Sequence, residues 1–294
     1  MSRFAVIEAP SILGLRPTGV ETLPDALLHA GLIDRLRARH AGRVTPESRY
    51  DFERDSTTLT LNANGIVSYS RALADAVGTV LDRGEFPVVL GGDCSIVLGN
   101  LLALKRRGRF GLLFIDGHAD FYNPEANPSG EAASMDLALA TGRGPALLTN
   151  IEGRGPLVND EDVVAFGYRD AEEQAAFGSQ PLPRELLAFD LPDVRRRGID
   201  AAARDAGAHL TRDGGPDGGL WIHVDADVLD DAIMPAVDYR LPGGLSWEEL
   251  TTAIRIAIQS GRAVGLEVTI YNPKLDPGGE GARGLANVIG DALT

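Results

Sequence analysis

One cysteine, Cys94, is the only thiol in this chain of 294 residues, so no internal disulfide framework can form and the fold must rest on its apolar core. Long apolar runs are missing too: none reaches the roughly 18–20 residues needed to cross a bilayer. The first apolar stretch, Phe4–Ile7, meets Glu8 too soon to be a signal peptide, which makes a cytoplasmic location the expectation. Bases are scarce against acids, 28 to 42, and the net charge is −14. Such a balance repels polyanions, so neither nucleic acid nor a membrane is expected as a partner, whereas a cationic small molecule suits it. No Ser-His-Asp arrangement, Walker loop or dinucleotide fingerprint appears, and Gly91-Gly92 lack the remaining spacing of a phosphate loop.

What the chain does have is a rhythm. Short apolar runs at Phe4–Ile7, Pro87–Leu90, Gly111–Ile115, Val163–Phe166, Leu220–Val224 and Ala263–Val268 read as strands covered on both faces. Helical patterns fall between them at Leu23–Arg39, Ser68–Asp82, Ile96–Arg106 and Trp247–Gln259. Ser246, with Glu249 three residues on, reads as a capping box for the last. Alternation of this kind predicts an α/β protein with a central, mostly parallel sheet and helices on both faces. Thr211–Gly219 is a Gly/Asp-rich turn rather than a linker, Asn123–Gly144 reads as a long loop, and no repeat stands out. The expectation is one domain over 1–294.

Three of the strands end in polar clusters. Val88-Val89-Leu90 runs into Gly91-Gly92-Asp93-Cys94-Ser95, Leu112–Ile115 into Asp116-Gly117-His118-Ala119-Asp120, and Trp221-Ile222-His223-Val224 into Asp225-Ala226-Asp227. Ligands of parallel sheets bind beyond the carboxyl ends of the strands, so all three clusters belong to one rim. If the backbone stays extended, alternate residues of Asp116-x-His118-x-Asp120 and Asp225-x-Asp227 point the same way. Four carboxylates and an imidazole in a small volume would repel one another and take up protons. Two divalent cations about 3.5–4 Å apart remove that problem and activate a water. Oxygen ligands with one imidazole favour manganese over zinc or copper. A lone Asp-x-Asp is usually a cap or a turn; the two clusters together are not explained that way.

These motifs resemble those of the ureohydrolases, the family of arginase, agmatinase and formiminoglutamase-like enzymes. The likeness runs from Gly19-Val20-Glu21, Pro24, Leu27 and Ala30-Gly31-Leu32 through the three clusters to Gly265-Leu266-Glu267-Val268 and Asn272-Pro273. It implies a three-layer α/β/α arginase-like fold, commonly assembled as trimers or hexamers, and two divalent metals, most often Mn2+. It also implies attack of a metal-activated water on a guanidinium or imine carbon. By this resemblance Asp116 and Asp225 bridge the metals, Asp120 and residue 94 complete one ligand set, and His118 and Asp227 the other.

The chain departs from the family pattern at three places. Cys94 stands where the motif has His, and can be a small buried hydrophobe or a thiolate ligand, deprotonated by the metal it binds. Ile270 stands where guanidinium-binding members carry Glu, leaving Glu267 or Asp238 as possible substitutes; strand alternation turns 267 and 270 to opposite faces. Ala133 occupies the place of a proton-shuttling histidine, for which His223 can act as acid or base, or else orient a metal ligand. Asp120 and His223 are therefore the catalytic candidates, and Tyr122, Asn123, Ser129 and Glu172 the substrate-binding ones. The expected activity is metal-dependent hydrolysis of a C–N bond in a guanidino or amidino molecule. An N-hydroxyguanidino compound or another amide or imine is the alternative substrate, and a catalytically weak binding or regulatory homologue the alternative role.

Overall fold

In the computed structural model, which describes residues 3–294, eight strands form one sheet. They are β1 (Phe4–Glu8), β2 (Arg39–Arg43), β3 (Phe86–Leu90), β4 (Gly111–Ile115), β5 (Val163–Phe166), β6 (Leu187–Phe189), β7 (Leu220–Asp225) and β8 (Ala263–Thr269). Their order is β2-β1-β3-β8-β7-β4-β5-β6. Every neighbouring pair runs parallel. The six strands expected from apolar runs are all present. β2 and β6 carry no such run: β2 is the partly exposed edge segment RHAGR, and β6 has only three residues. The expected helix Leu23–Arg39 is two helices, Leu23–His29 and Leu32–Leu36. Gly31 at φ 83° breaks it, and Arg37 at φ 49° turns the chain into β2.

Side-chain alternation divides the core into two layers. Phe4, Val6, Leu113, Ile115, Val164 and Phe166 pack on one face, with Leu250 and Ile254 of helix Trp247–Gln259 and Leu285 and Ile289 of helix Glu280–Leu293. Ala5, Ile7, Leu112, Phe114, Val163 and Ala165 pack on the other, with Leu73 and Val77 of helix Ala63–Asp82 and Leu98 and Leu102 of helix Val97–Lys105. The result is the three-layer α/β/α arrangement. Ser246 and Glu249 form the expected capping box. No described helix is long and apolar enough to cross a membrane.

Candidate metal centre

The four central strands, β3, β8, β7 and β4, bring their carboxyl ends together. Two glycines after β3 permit close approach: a Cβ on Gly92 would lie 1.8 Å from the Ser11 carbonyl oxygen, so no other residue fits there. Asp93 is a turn cap whose carboxylate accepts from Ser11 Oγ at 2.8 Å and from the Ser95 amide at 2.9 Å. Beyond β4 and β7 the backbone does not stay extended. Asp116 Oδ1 accepts from the His118 amide and Asp225 Oδ1 from the Asp227 amide, both at 2.7 Å. Each of these aspartates thus spends one oxygen on the turn and leaves Oδ2 for the site. Asp227 Oδ1 likewise accepts from the Gly117 amide at 3.1 Å, which ties the two turns together.

Ligand-type atoms gather in three overlapping groups, each with all its atoms within 4.8 Å of one another: Cys94, Asp116, His223 and Asp225; Asp116, His118 and Asp227; Cys94, Asp120 and Asp136. Cys94 Sγ donates to Asp225 Oδ2 at 2.8 Å and lies 3.0 Å from Thr269 Oγ1. His118 Nδ1 is 2.9 Å from Asp227 Oδ2. Burial, reinforced by the charge of Asp227, pushes the Asp116 carboxyl up to about 6. Burial and the surrounding carboxylates push Asp120 and Asp225 well above the usual carboxylate range, and burial and Asp225 push the Cys94 thiol up. Burial pulls His118 down, but the Asp227 carboxylate overcomes it and raises the imidazole to about 9. Burial opposes ionisation of Asp227, yet His118 holds its carboxyl below the ordinary value. The site behaves as an anionic cage that needs positive charge. Buried Asp116 Oδ2 has no hydrogen-bond partner, so the donor set has a free acceptor for a divalent ion.

Residues 2–294 match the profile of the Arginase family. The arginase of Bacillus caldovelox is 30% identical over 284 residues, 94% of this chain and 93% of that protein. This chain belongs to the arginase family. A crystal structure of the B. caldovelox enzyme superposes with a TM-score of 0.88 at 28% identity, covering 100% of this chain and 98% of that one. Arginase from Staphylococcus aureus is 28% identical over 97% of this chain and 95% of its own.

Within this arginase-family fold, a pocket of about 270 Å³ opens over the cage. Cys94, His118, Asp120, Asp225 and Asp227 line it, whereas Asp116 is 1% exposed and lies behind them. Tyr122 and Ser129 line the pocket. Asn123 does not; its Oδ1 accepts from the Ala126 amide at 2.8 Å and shapes the loop. Glu172 is exposed on helix Ala171–Phe177 and off the pocket, and its neighbour Glu173 lines it instead. His223 is fully buried, stacked on Phe114 with ring centroids 4.5 Å apart, and sits between Asp116 Oδ2 at 3.7 Å and Glu267 Oε1 at 2.9 Å. Burial pulls its imidazole down, but these two carboxylates hold it well above its ordinary value.

The pairing of His223 with Glu267 in the β7–β8 register explains that contact. Glu267 also accepts from Trp221 Nε1 at 3.2 Å and from Asn100 Nδ2, and faces the core rather than the pocket. Asp238 is occupied by Thr18 Oγ1 at 2.7 Å and Asn272 Nδ2 at 3.1 Å. Neither acid replaces the one absent at Ile270, which lines the pocket at φ 67° with its amide bonded to the Gly92 carbonyl at 2.8 Å. The sequence reading missed several site residues. Asp170 lines the pocket while accepting from the Ala119 amide at 3.2 Å; its place just beyond β5 was the available signal. Arg169 ties the Asp227 loop down by donating to the carbonyls of Asp227 at 2.9 Å and Leu241 at 2.7 Å. Glu131, which accepts from Tyr239 Oη at 2.6 Å, lines the pocket from a loop without periodicity, and Asp136 lies buried beside the cage.

Proposed function

We propose that this chain is a hydrolase that uses two divalent ions, manganese by ligand type, to cleave a C–N bond of a guanidino- or amidino-type small molecule. The observation that supports it most is the sharing of Asp116 between two adjacent donor groups, one with Cys94, His223 and Asp225 and one with His118 and Asp227. Asp116 and Asp225 would bridge the ions; Cys94 and Asp120 would complete one ligand set, His118 and Asp227 the other. Such a pair, when bound, lowers the pKa of a water and offsets the negative charge that develops on the attacked carbon's substituents.

The protein's own groups do the rest. Asp120 lines the pocket at φ 45° and would take the proton of the attacking water and hand it to the leaving amine. Buried His223, its ring fixed by Glu267, lies 3.7 Å from Asp116 Oδ2 and would orient that carboxylate through its charge. Glu131, Asp170 and Glu173 give the pocket the acidic character that a cationic substrate needs, and Tyr122 and Ser129 supply polar edges. The apolar wall at Ile270 favours a second reading of the substrate: an N-hydroxyguanidino compound or another amide or imine, whose recognition does not depend on a carboxylate there. Assembly as a trimer or hexamer belongs to the same proposal and is read by sedimentation.

The test combines metal analysis with a substrate panel of arginine, agmatine, guanidinobutyrate, N-hydroxyarginine and simple amides, scored for urea and amine release. Two metals per chain with hydrolysis of a panel member is the expected result. A chain that holds metal but hydrolyses only the amides would move the substrate class; one that binds no metal and cleaves nothing would leave only a binding or regulatory role.

A further inference from the structure

We propose that Asp136 is a metal ligand, and that Cys94, Asp120 and Asp136 form a mixed thiolate–carboxylate pocket for one divalent ion, selective for softer metals than the imidazole–carboxylate side of the cage. The inference rests on the reading that this cage binds divalent ions, and adds to it a donor and a metal preference.

Asp136 starts the short helix Asp136–Ala140 and is completely buried, and neither of its carboxylate oxygens has a hydrogen-bond partner. A carboxylate withdrawn from water without donors is costly, and buried charges in proteins are normally paired or bound to a metal. Among the described residues no arginine or lysine pairs with it; burial, with the charges of Asp116 and Glu267, pushes its carboxyl well above the usual range and outweighs His223 and the Leu137 amide, which favour its ionised form. Its carboxylate, the Asp120 carboxylate and Cys94 Sγ lie within 4.8 Å of one another. Two ligands on one tetrahedral ion at about 2.0–2.3 Å lie about 3.3–3.8 Å apart. Side-chain shifts of about 1 Å therefore suffice to convert the cluster into a coordination sphere. Asp136 does not line the open pocket, so it approaches the ion from the protein side and leaves the substrate side free.

The donor types set the preference. One thiolate with two carboxylates suits zinc, iron(II) or cobalt(II) better than a site of oxygen and imidazole alone. The Cys94 proton leaves to solvent as the ion binds, so uptake releases acid. Asp225 is already in contact with the thiol at 2.8 Å.

Equilibrium dialysis of the full chain against cobalt(II) or zinc alone, with elemental analysis, tests the proposal alongside the near-ultraviolet thiolate-to-cobalt charge-transfer band. In the isosteric variant Asp136→Asn, cobalt affinity on the Cys94 side should fall by about 10–100-fold or more, since even partners one step removed from a metal cost that much. The charge-transfer band should weaken or shift with it, while in Asp227→Asn it should persist. Unchanged affinity and an unchanged band in Asp136→Asn would overturn the assignment, as would cobalt bound by the wild type without any thiolate band. A wild-type chain that takes up no ion would instead sink the metal reading of the whole cage. A zinc-soaked crystal needs no variant: an anomalous peak about 2.0–2.2 Å from an Asp136 oxygen is expected. A peak bonded to Cys94 and Asp120 but remote from Asp136 would refute it.

Discussion

Replacing Glu267 separates a structural acid from a substrate-binding one. The side chain is fully buried and accepts from His223 Nδ1 at 2.9 Å, from Trp221 Nε1 at 3.2 Å and from Asn100 Nδ2. Glu267→Leu removes all three acceptors. Each donor left dry costs about 1–3 kcal/mol, so the loss is about 3–9 kcal/mol against a typical total of about 5–15. Glu267→Gln is gentler. Its carbonyl can still serve His223 and Trp221, and its amide can donate to Asn100 Oδ1, which has no partner, once the Asn100 amide turns over. What remains is the lost charge opposite His223, worth about 1–2 kcal/mol as the difference between a charge-assisted and a neutral hydrogen bond. At about 2 °C per kcal/mol for a chain of this size, Glu267→Gln should melt about 2–4 °C lower and Glu267→Leu at least about 6 °C lower.

The pH dependence has a definite sign. Burial opposes the charge on His223, but Asp116 and Glu267 raise its pKa well above the ordinary 6.5. A raised histidine adds stability that is complete below the unfolded pKa and disappears as pH climbs through the folded one. The wild-type advantage over Glu267→Gln in metal-free protein is therefore largest near pH 6 and shrinks at alkaline pH. Urea melts across that range read it, and steady-state kinetics read the other half: KM should stay within about twofold, because Glu267 does not face the pocket. A Gln variant of unchanged stability whose KM rises tenfold would refute this reasoning and make Glu267 a substrate ligand.

Chelation of bound metal should lower the melting temperature by about 10 °C, since two sites at 100 times Kd contribute about 5 kcal/mol together; a transition unmoved by chelator and by manganese would contradict it. The metal-free protein should also lose stability as pH rises from about 4 to 9. Asp116, raised to about 6 by burial and Asp227, and His118, raised to about 9 by Asp227 against the pull of burial, both hold protons that the unfolded chain would release. Denaturant melts at pH 5, 7 and 9 in chelator check the order, which would be reversed if the cage were not protonated. Ile270→Glu should raise kcat/KM for arginine or agmatine by about 10-fold or more, the value of a hydrogen bond to a charged group; no gain on any guanidino compound would show that position 270 does not face the scissile group. Cys94→His should abolish the thiolate-to-cobalt band and move the acid limb of the pH–rate profile downward, because a neutral ligand leaves the activated water more acidic. An identical band and profile would mean that residue 94 never touches the ion.

Much of this was legible because the chemistry sits where apolar strands stop. Ile115-Asp116 and Val224-Asp225 mark the boundary between an apolar strand and its polar end, and a parallel sheet puts those ends on one side. The orientation argument was less exact than the placement. Extended alternation was expected to aim Asp116, His118 and Asp120 together, whereas side chain-to-backbone turns at Asp116 and Asp225 and a left-handed Asp120 achieve the convergence. Glu267 and Ile270 do face apart, as alternation predicted, but Ile270 lies beyond the end of β8 at φ 67°, so the turn there and not the strand sets its direction. Helical rotation of about 100° per residue explains why Glu173 rather than Glu172 meets the pocket. β2 was hidden because Arg39–Arg43 carries no apolar alternation and follows a helical pattern that Gly31 interrupts.

Asp136 shows what local pattern cannot supply. In Met135-Asp136-Leu137-Ala138-Leu139 an acid at the first turn of a helix reads as dipole compensation at a solvated end, and nothing in the neighbouring residues says that this end is buried. Its meaning comes from residue 94, more than forty positions earlier, through the meeting of β3's end with the loop after β4. Charge counting then links the two. With two divalent ions bound as proposed, Asp116, Asp120, Asp225 and Asp227 would balance them, and an ionised Cys94 with Asp136 would add two further negative charges at the same end of the cage. The excess pulls any cationic group in the pocket toward Cys94 and Asp120. Under the proposed function that field would attract a positively charged substrate by a route that does not pass through position 270, where a hydrophobic wall stands.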